Sequence, residues 1–346
     1  LRPEILEEGA IRGLLLAAKP YNDYISTGKD ADSKVSSMKK GSSGVLIGHK
    51  DRVWTVMSII PDSAAQKAGL KIGDKIYQID DQMIQNCYLS EIYGKLSGQP
   101  GEKRTMTIFR GEKLEQVSIE MELEPIKSLD YVTSKIIDDN IAYIRVANFN
   151  PDKFKEEFSH TLENLLEKDV RGLILDLRNN CIGEIEQGFE LCDFFLEDGK
   201  LMGFYRRNPE SSEMRFLSSD HQNYDVNPLI ILVDSSTSSA TEVAVAAFKD
   251  LKRGLILGES TFGKALHLET FEMNNSLLRL VTGLYYSPNG DSIYKNGIKP
   301  QIEMKSESYF LTKKPLEEDP LVVRAIELIT AHYVFDNQPA EKPSEL

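Results

Sequence analysis

A chain of 346 residues has the length for two or three domains, and 41% hydrophobic with 27% charged residues suits ordinary folded ones. Its 41 basic against 54 acidic residues give a net charge of -13, which argues against binding to nucleic acid or an anionic membrane, since phosphate contacts need clustered Lys and Arg. No stretch reaches the roughly 20 apolar residues that span a bilayer. Cys87, Cys181 and Cys192 are an odd set without CxxC, so they build neither a disulfide framework nor a zinc site and read as reduced structural thiols. The chain starts at Leu1 rather than Met, which leaves room for a removed signal segment or anchor.

In chain order, Ile5, Leu6, Ile11, Leu14 and Leu15 recur at helical spacing behind Pro3 and predict an amphipathic helix over residues 3–18. Lys29–Ser43 is polar and rich in Ser and Gly, as linkers are. From Gly44 to about Leu123 short strand-like runs follow one another: Val53–Ile60, Lys75–Ile79, Arg104–Phe109 and Glu115–Met121. A short helix is predicted among them at Ser63–Ala68. After Pro125 strands and helices alternate. Strands are expected at Ile141–Val146, Leu173–Leu177, Leu229–Val233 and Leu255–Leu257, with helices at Lys153–Leu166, Glu184–Leu196 and Ala240–Asp250. Short apolar strands between helices predict an α/β core with parallel strands. Leu321–Tyr333 reads as a terminal helix and Val334–Leu346 as a loose tail. The expected division is a helical segment over 1–40, a β module over 41–124, an α/β core over 125–310, and a helix with tail over 311–346.

The chemistry concentrates in Asp234-Ser235-Ser236-Thr237-Ser238-Ser239-Ala240-Thr241-Glu242, between an apolar strand and an apolar helix. A hydroxyl at such a junction sits beside helix-start N–H groups that hold a developing oxyanion. Taken alone, the same residues read more readily as helix caps, because Ser-rich caps are common. A nucleophilic serine needs a base. The histidines at 49, 160, 221, 267 and 332 are scattered, and no G-x-S-x-G elbow is present. Lysine serves instead when burial lowers its pKa from about 10.4. Lys264, in Thr261-Phe262-Gly263-Lys264-Ala265, is the candidate, with Gly263 allowing close approach and Phe262 excluding water.

Together the two stretches resemble the active-site region of the carboxyl-terminal processing (tail-specific) serine proteases. That family places its nucleophile in an S-A-S-E type run and its general-base lysine 25 residues later in T-F-G-K, the spacing between Ser239 and Lys264. Asp176-Leu177-Arg178-Asn179-Asn180 is similar to its D-L-R-x-N run. Tyr285–Gly290 and Gly297-Ile298-Lys299-Pro300 resemble its Y-x-P-x-G and G-I-x-P segments. Gly9–Gly13, Lys19-Pro20-Tyr21 and Asp319-Pro320-Leu321 are similar to its terminal motifs, so the resemblance runs in order along nearly the whole chain. The sequence departs from the family in three places. Leu268 stands where a Gln usually orients the lysine, and neighbouring His267 could substitute only if the strand bulged. Cys181-Ile182-Gly183 stands for P-G-G, and Ser238 and Thr241 replace other small residues.

Pro61–Ile76 is similar to the S-P-A-x-x-A-G-L-x-x-G-D-x-I signature of PDZ domains. Gly44-Val45-Leu46-Ile47 falls where such domains keep a carboxylate-binding loop, with Leu46 in place of a frequent glycine. Loops of this kind offer backbone N–H groups to a C-terminal carboxylate while a strand edge pairs with the peptide.

The resemblance implies a PDZ domain plus a crotonase-like α/β protease core, flanked by N- and C-terminal helical segments. It implies Ser239 as nucleophile and Lys264 as base, with Ala240 and Gly183 (or Ile182) backbone N–H groups as the oxyanion site. No metal or cofactor is expected. Expected partners are protein or peptide substrates held by their C-termini, with a homo-oligomer or an activating partner left open, in an extracytoplasmic location. The alternatives are a catalytically impaired PDZ-bearing scaffold of protease descent, motivated by Leu268, and a Ser–His–Asp hydrolase, against which the missing elbow argues.

Overall fold

The computed structural model describes residues 3–18, 20–26, 41–126, 131–138, 140–150, 152–219, 223–273, 276–305 and 315–336. Two compact units emerge. One gathers 1–128, 205–212 and 266–284; the other gathers 129–204, 213–265 and 285–346. The N-terminal segment and the β module thus share a unit.

In the first unit, Val45–Lys50, Val53–Ile59, Lys75–Ile79, Lys103–Arg110 and Glu115–Glu122 form an antiparallel sheet in that order, with Val45–Lys50 at an edge. Ile47, Ile59, Ile79, Met106 and Ile108 fill its core. The short helix Ala64–Lys67 is capped by Ser63, whose hydroxyl accepts from the Gln66 N–H. A second helix, Leu89–Lys95, has no counterpart among the predicted elements. The expected binding loop is mostly strand: Val45, Leu46 and Ile47 open the edge strand, and only Gly44 precedes it. Gly44 takes φ +75° with the Ser63 side chain against its α-carbon, so a Cβ there would lie 2.2 Å from Ser63 Cβ. The N-terminal helix spans Pro3–Ala18 as predicted. Of the expected linker, Gly41–Ser42 is a short strand paired with Ser97–Gly98 and Glu124–Pro125, and residues 29–40 lie outside the described ones.

In the second unit a six-stranded sheet runs Val132–Ile137, Ile141–Val146, Leu173–Asp176, Leu229–Val233, Leu255–Gly258 and Ile302–Glu303. Only the first pairing is antiparallel. Leu229–Val233 is buried along its whole length, as a strand covered on both faces must be. Ile174, Ile230, Leu232 and Leu257 pack with Leu321, Val322, Ala325 and Ile329 of the terminal helix. That helix runs Pro320–Asp336, so it extends into the expected tail; residues 337–346 lie outside the described ones. A buried ionic network anchors its start. Arg178, 2% exposed, forks onto Asp176 and reaches Asp319 at 2.7 Å, and Asp319 in turn accepts from the Leu321 N–H. Burial by itself would raise the Asp176 carboxyl; the Arg178 charge outweighs it and holds the group below its ordinary value.

Candidate active site

Three loops leave the carboxyl ends of adjacent parallel strands, where open α/β sheets form their crevices. They follow Leu173–Asp176, Leu229–Val233 and Leu255–Gly258. The first carries Asn179–Gly183, the second Ser239 and the third Lys264.

Ser239 stands between the central strand and helix Ala240–Asp250 with φ +61° and ψ −121°. A non-glycine residue held in such a conformation costs roughly 1–3 kcal/mol, so its surroundings must hold it there. Glu242 does much of this. Its carboxylate, 0% exposed, accepts from the Ser239 N–H (3.1 Å), the Thr261 hydroxyl (2.6 Å), the Gly263 N–H (2.6 Å) and the Lys264 N–H (2.7 Å). One side chain thereby ties the backbone of Ser239 to that of Lys264. Burial pushes the Glu242 carboxyl above its ordinary value, and the hydrogen bonds oppose that shift. Glu242 is not among the residues expected from the sequence. Its signal there is the S-x-x-E spacing of a capping box. In the structure Glu242 reaches back to the Ser239 N–H.

Lys264 is half-buried. Burial of its ammonium lowers the pKa, and Cys181 and Glu242 pull the other way without cancelling that shift, so the group sits below its ordinary value. Gly263 before it has φ +90°, and a Cβ there would meet the Lys295 carbonyl carbon at 2.9 Å. The Lys295 N–H donates to the Gly263 carbonyl, and the Ile298 N–H to the Thr261 hydroxyl (2.7 Å). The Gly297–Pro300 motif of the sequence thus braces the lysine loop from behind. Phe262 is buried, as the drying role requires.

The amides near Ser239 divide sharply. Asn148 Oδ1 accepts from the Cys181 N–H (3.3 Å) and the Ile182 N–H (3.1 Å). Of the two alternatives expected beside Ala240, Ile182 is therefore engaged, leaving Gly183. Gly183 has φ +153°, and a Cβ would lie 2.5 Å from the Phe149 ring, so only glycine fits. The Ala240 N–H is a first-turn amide, which an α-helix leaves without an internal partner. Asp234 locks the two loops: its carboxylate accepts from Asn179, Ser236 and Thr237 N–H groups at 2.9–3.0 Å, while Ser238 N–H donates to the Asn180 carbonyl. Gly188 lets helix Ile185–Asp193 touch the start of the next helix, since a Cβ would lie 2.0 Å from the Ala240 carbonyl oxygen. Asp234, Asn148 and Gly188 are likewise absent from the site expected of the sequence.

His267 and Leu268 belong to the first unit. The hairpin Leu266–Met273/Ser276–Tyr286 has a bulge opposite them: His267 faces Gly283 and Leu268 faces Val281, so Thr282 is the extra residue. The bulge thus lies on the opposite strand, and His267 and Leu268 keep opposite faces. His267 shares a hydrogen bond with the Thr282 hydroxyl (2.9 Å) and lies against Tyr205 (4.3 Å between rings). Leu268 is 41% exposed. Among the described residues no group of three or more His, Cys, Asp or Glu could hold a metal ion, and no helix is long and apolar enough to cross a membrane.

Residues 140–304 match peptidase family S41, and residues 55–110 match a PDZ domain. The carboxy-terminal-processing protease of Bartonella bacilliformis is 30% identical over 86% of this chain and 69% of its own length. Carboxy-terminal processing protease CtpA of Bacillus subtilis is 28% identical over 88% of this chain and 65% of its own. The chain thus spans about two thirds of these relatives. Among solved structures, a photosystem II D1 C-terminal processing protease superposes with a TM-score of 0.77 at 24% identity, over 86% of this chain and 81% of that one.

Proposed function

The chain belongs to the S41 carboxy-terminal processing proteases, and from that premise we propose that it is a serine endopeptidase working through a Ser239–Lys264 dyad. The observation that carries this reading is the Glu242 carboxylate, which accepts from the backbone N–H groups of both residues. In the proposed reaction neutral Lys264 takes the hydroxyl proton as Ser239 Oγ attacks the scissile carbonyl. The Ala240 and Gly183 N–H groups receive the oxyanion. Lys264 then returns the proton to the leaving amine, and the acyl-enzyme is hydrolysed. Desolvation lowers the pKa of Lys264, which supports this role, because a protonated base accepts nothing.

Casein degradation and labelling by a serine-reactive probe test the dyad. Ser239→Ala should abolish cleavage and Lys264→Ala should lower it by roughly 10²-fold or more, with the fold retained; full activity in either refutes it. The scaffold reading retains one supporting observation: Leu268, where the resemblance implies a Gln, is an exposed apolar residue. Absence of both labelling and cleavage in the unmodified protein would favour it.

The edge strand beginning at Val45 and the Ser63-capped turn beside Gly44 suit a groove for substrate C-termini. A peptide ending in a free carboxylate should bind, and its amidated twin much more weakly. The bacterial relatives suit an extracytoplasmic site of action, which fractionation of cells producing the full-length protein would check.

A further inference from the structure

The outer edge of the Val45–Lys50 strand, where an added peptide strand would pair, is already in use. The Ile47 N–H donates to the Tyr93 hydroxyl (3.0 Å) and the His49 N–H to the Tyr21 hydroxyl (2.8 Å). These amides alternate along the strand, as the outward-facing set of an edge strand must. Ile47 is 0% and Tyr21 4% exposed, so the edge is covered as well as paired. Tyr93 comes from helix Leu89–Lys95, but Tyr21 comes from the N-terminal segment, far outside the module in sequence. That segment is held by further bonds. Arg12 forks onto Glu91 (2.6 and 2.8 Å), with its guanidinium 4.7 Å above the Tyr88 ring. Asp23 accepts from the Ser90 N–H (3.1 Å) and hydroxyl (2.8 Å).

We propose that the PDZ groove is latched by its own chain: the Tyr21 and Tyr93 hydroxyls hold the amides that an incoming C-terminus must take, so a substrate tail engages only after the Tyr21 segment releases the edge. This rests on the reading of the groove as a carboxyl-terminus site. The latch is built to exchange. Two neutral phenol hydrogen bonds are replaced by two peptide hydrogen bonds, and the free carboxylate adds a charge-assisted one that the latch lacks. A tail without a free carboxylate has no such surplus, so the latch raises selectivity for true termini.

The protein carries its own reporter. Trp54, the single tryptophan, lies edge-on to Tyr21 (6.2 Å) and to His49 (5.0 Å). The test uses the full chain and a fluorescein-labelled heptapeptide ending in leucine, as free acid and as amide. Tyr21→Phe and Tyr93→Phe should each tighten binding of the acid about three- to tenfold, the range a freed hydrogen bond commands. Arg12→Ala, which loosens the segment without touching the edge amides, should act in the same direction and guards against misfolding of the tyrosine variants. An unlabelled form of the acid peptide should shift Trp54 emission in the unmodified protein. Equal affinity in all four proteins, or tight binding with unchanged emission, overturns the latch and leaves the groove reading intact. Failure of every variant to bind the acid peptide overturns both.

Discussion

The Ser239 turn and the Val45–Lys50 edge face the same problem, backbone N–H groups without a secondary-structure partner, and meet it with different acceptors. Around Ser239 the acceptors are the carboxylates of Asp234 and Glu242. At the edge strand they are the phenol hydroxyls of Tyr21 and Tyr93. Hydrogen bonds to charged groups contribute about 1.5–3 kcal/mol against 0.5–1.5 for neutral ones, and a buried carboxylate left without donors is costlier still. The first arrangement therefore fixes a strained backbone, and the second is weak enough to be exchanged for a ligand. Acceptor chemistry separates a site that must not move from one that must open.

The strongest way to break the rigid side is at the chemistry itself. Lys264→Ala should lower kcat by roughly 10²–10⁴, the range a general base supplies. In the unmodified protein kcat/KM should rise with pH to a plateau. Burial places the Lys264 midpoint below the ~10.4 of free lysine, and the neutral fraction grows as pH passes it. A profile that falls with pH over that range rules the lysine out as base.

Next in size is the buried network that seats the terminal helix. Arg178→Ala removes the guanidinium that pairs with the buried carboxylates of both Asp176 and Asp319. Urea unfolding should show a loss of about 3–5 kcal/mol. Asp176 also carries a pH signature. Its folded pKa is depressed, so its contribution is present above the unfolded value of ~3.9 and is lost as pH falls through the lower folded one. A loss under 1 kcal/mol in Arg178→Ala would mean that packing alone holds the helix.

Glu242→Gln sharpens the comparison directly, since it keeps size and removes charge. An amide cannot accept four hydrogen bonds as a carboxylate does, so kcat should fall about 10²-fold, in keeping with loss of an oriented site. KM should change little, because substrate contacts are untouched. An equal rise in KM with unchanged kcat would assign Glu242 to binding. The smallest expected effect is at Leu268, exposed and on the strand face opposite His267. Leu268→Gln should raise kcat by no more than about tenfold, the reach of one neutral hydrogen bond. A larger gain would show that the lysine lacks its orienting partner in this chain.

Much of the second unit is legible in the amino-acid sequence. Ile141–Val146, Leu229–Val233 and Ala240–Asp250 fall at their predicted bounds, because continuous apolar runs and an apolar helix after a Ser-rich turn leave few alternatives. Leu89–Lys95, in the first unit, and Leu201–Arg206 have no predicted counterpart, since a glycine interrupts each apolar pattern. The 25-residue interval between Ser239 and Lys264, the glycines at 183 and 263, and the turn signature at Pro61–Ile76 are all in the sequence too. Tertiary structure alone decided which groups meet: Glu242 with Gly263 and Lys264, Asn148 with the Ile182 N–H, Tyr21 with the His49 N–H. Periodicity records which face of an element is buried. A bond between one loop's side chain and another loop's backbone depends on how the chain closes in space, and a single glutamate, asparagine or tyrosine leaves no repeating trace of it.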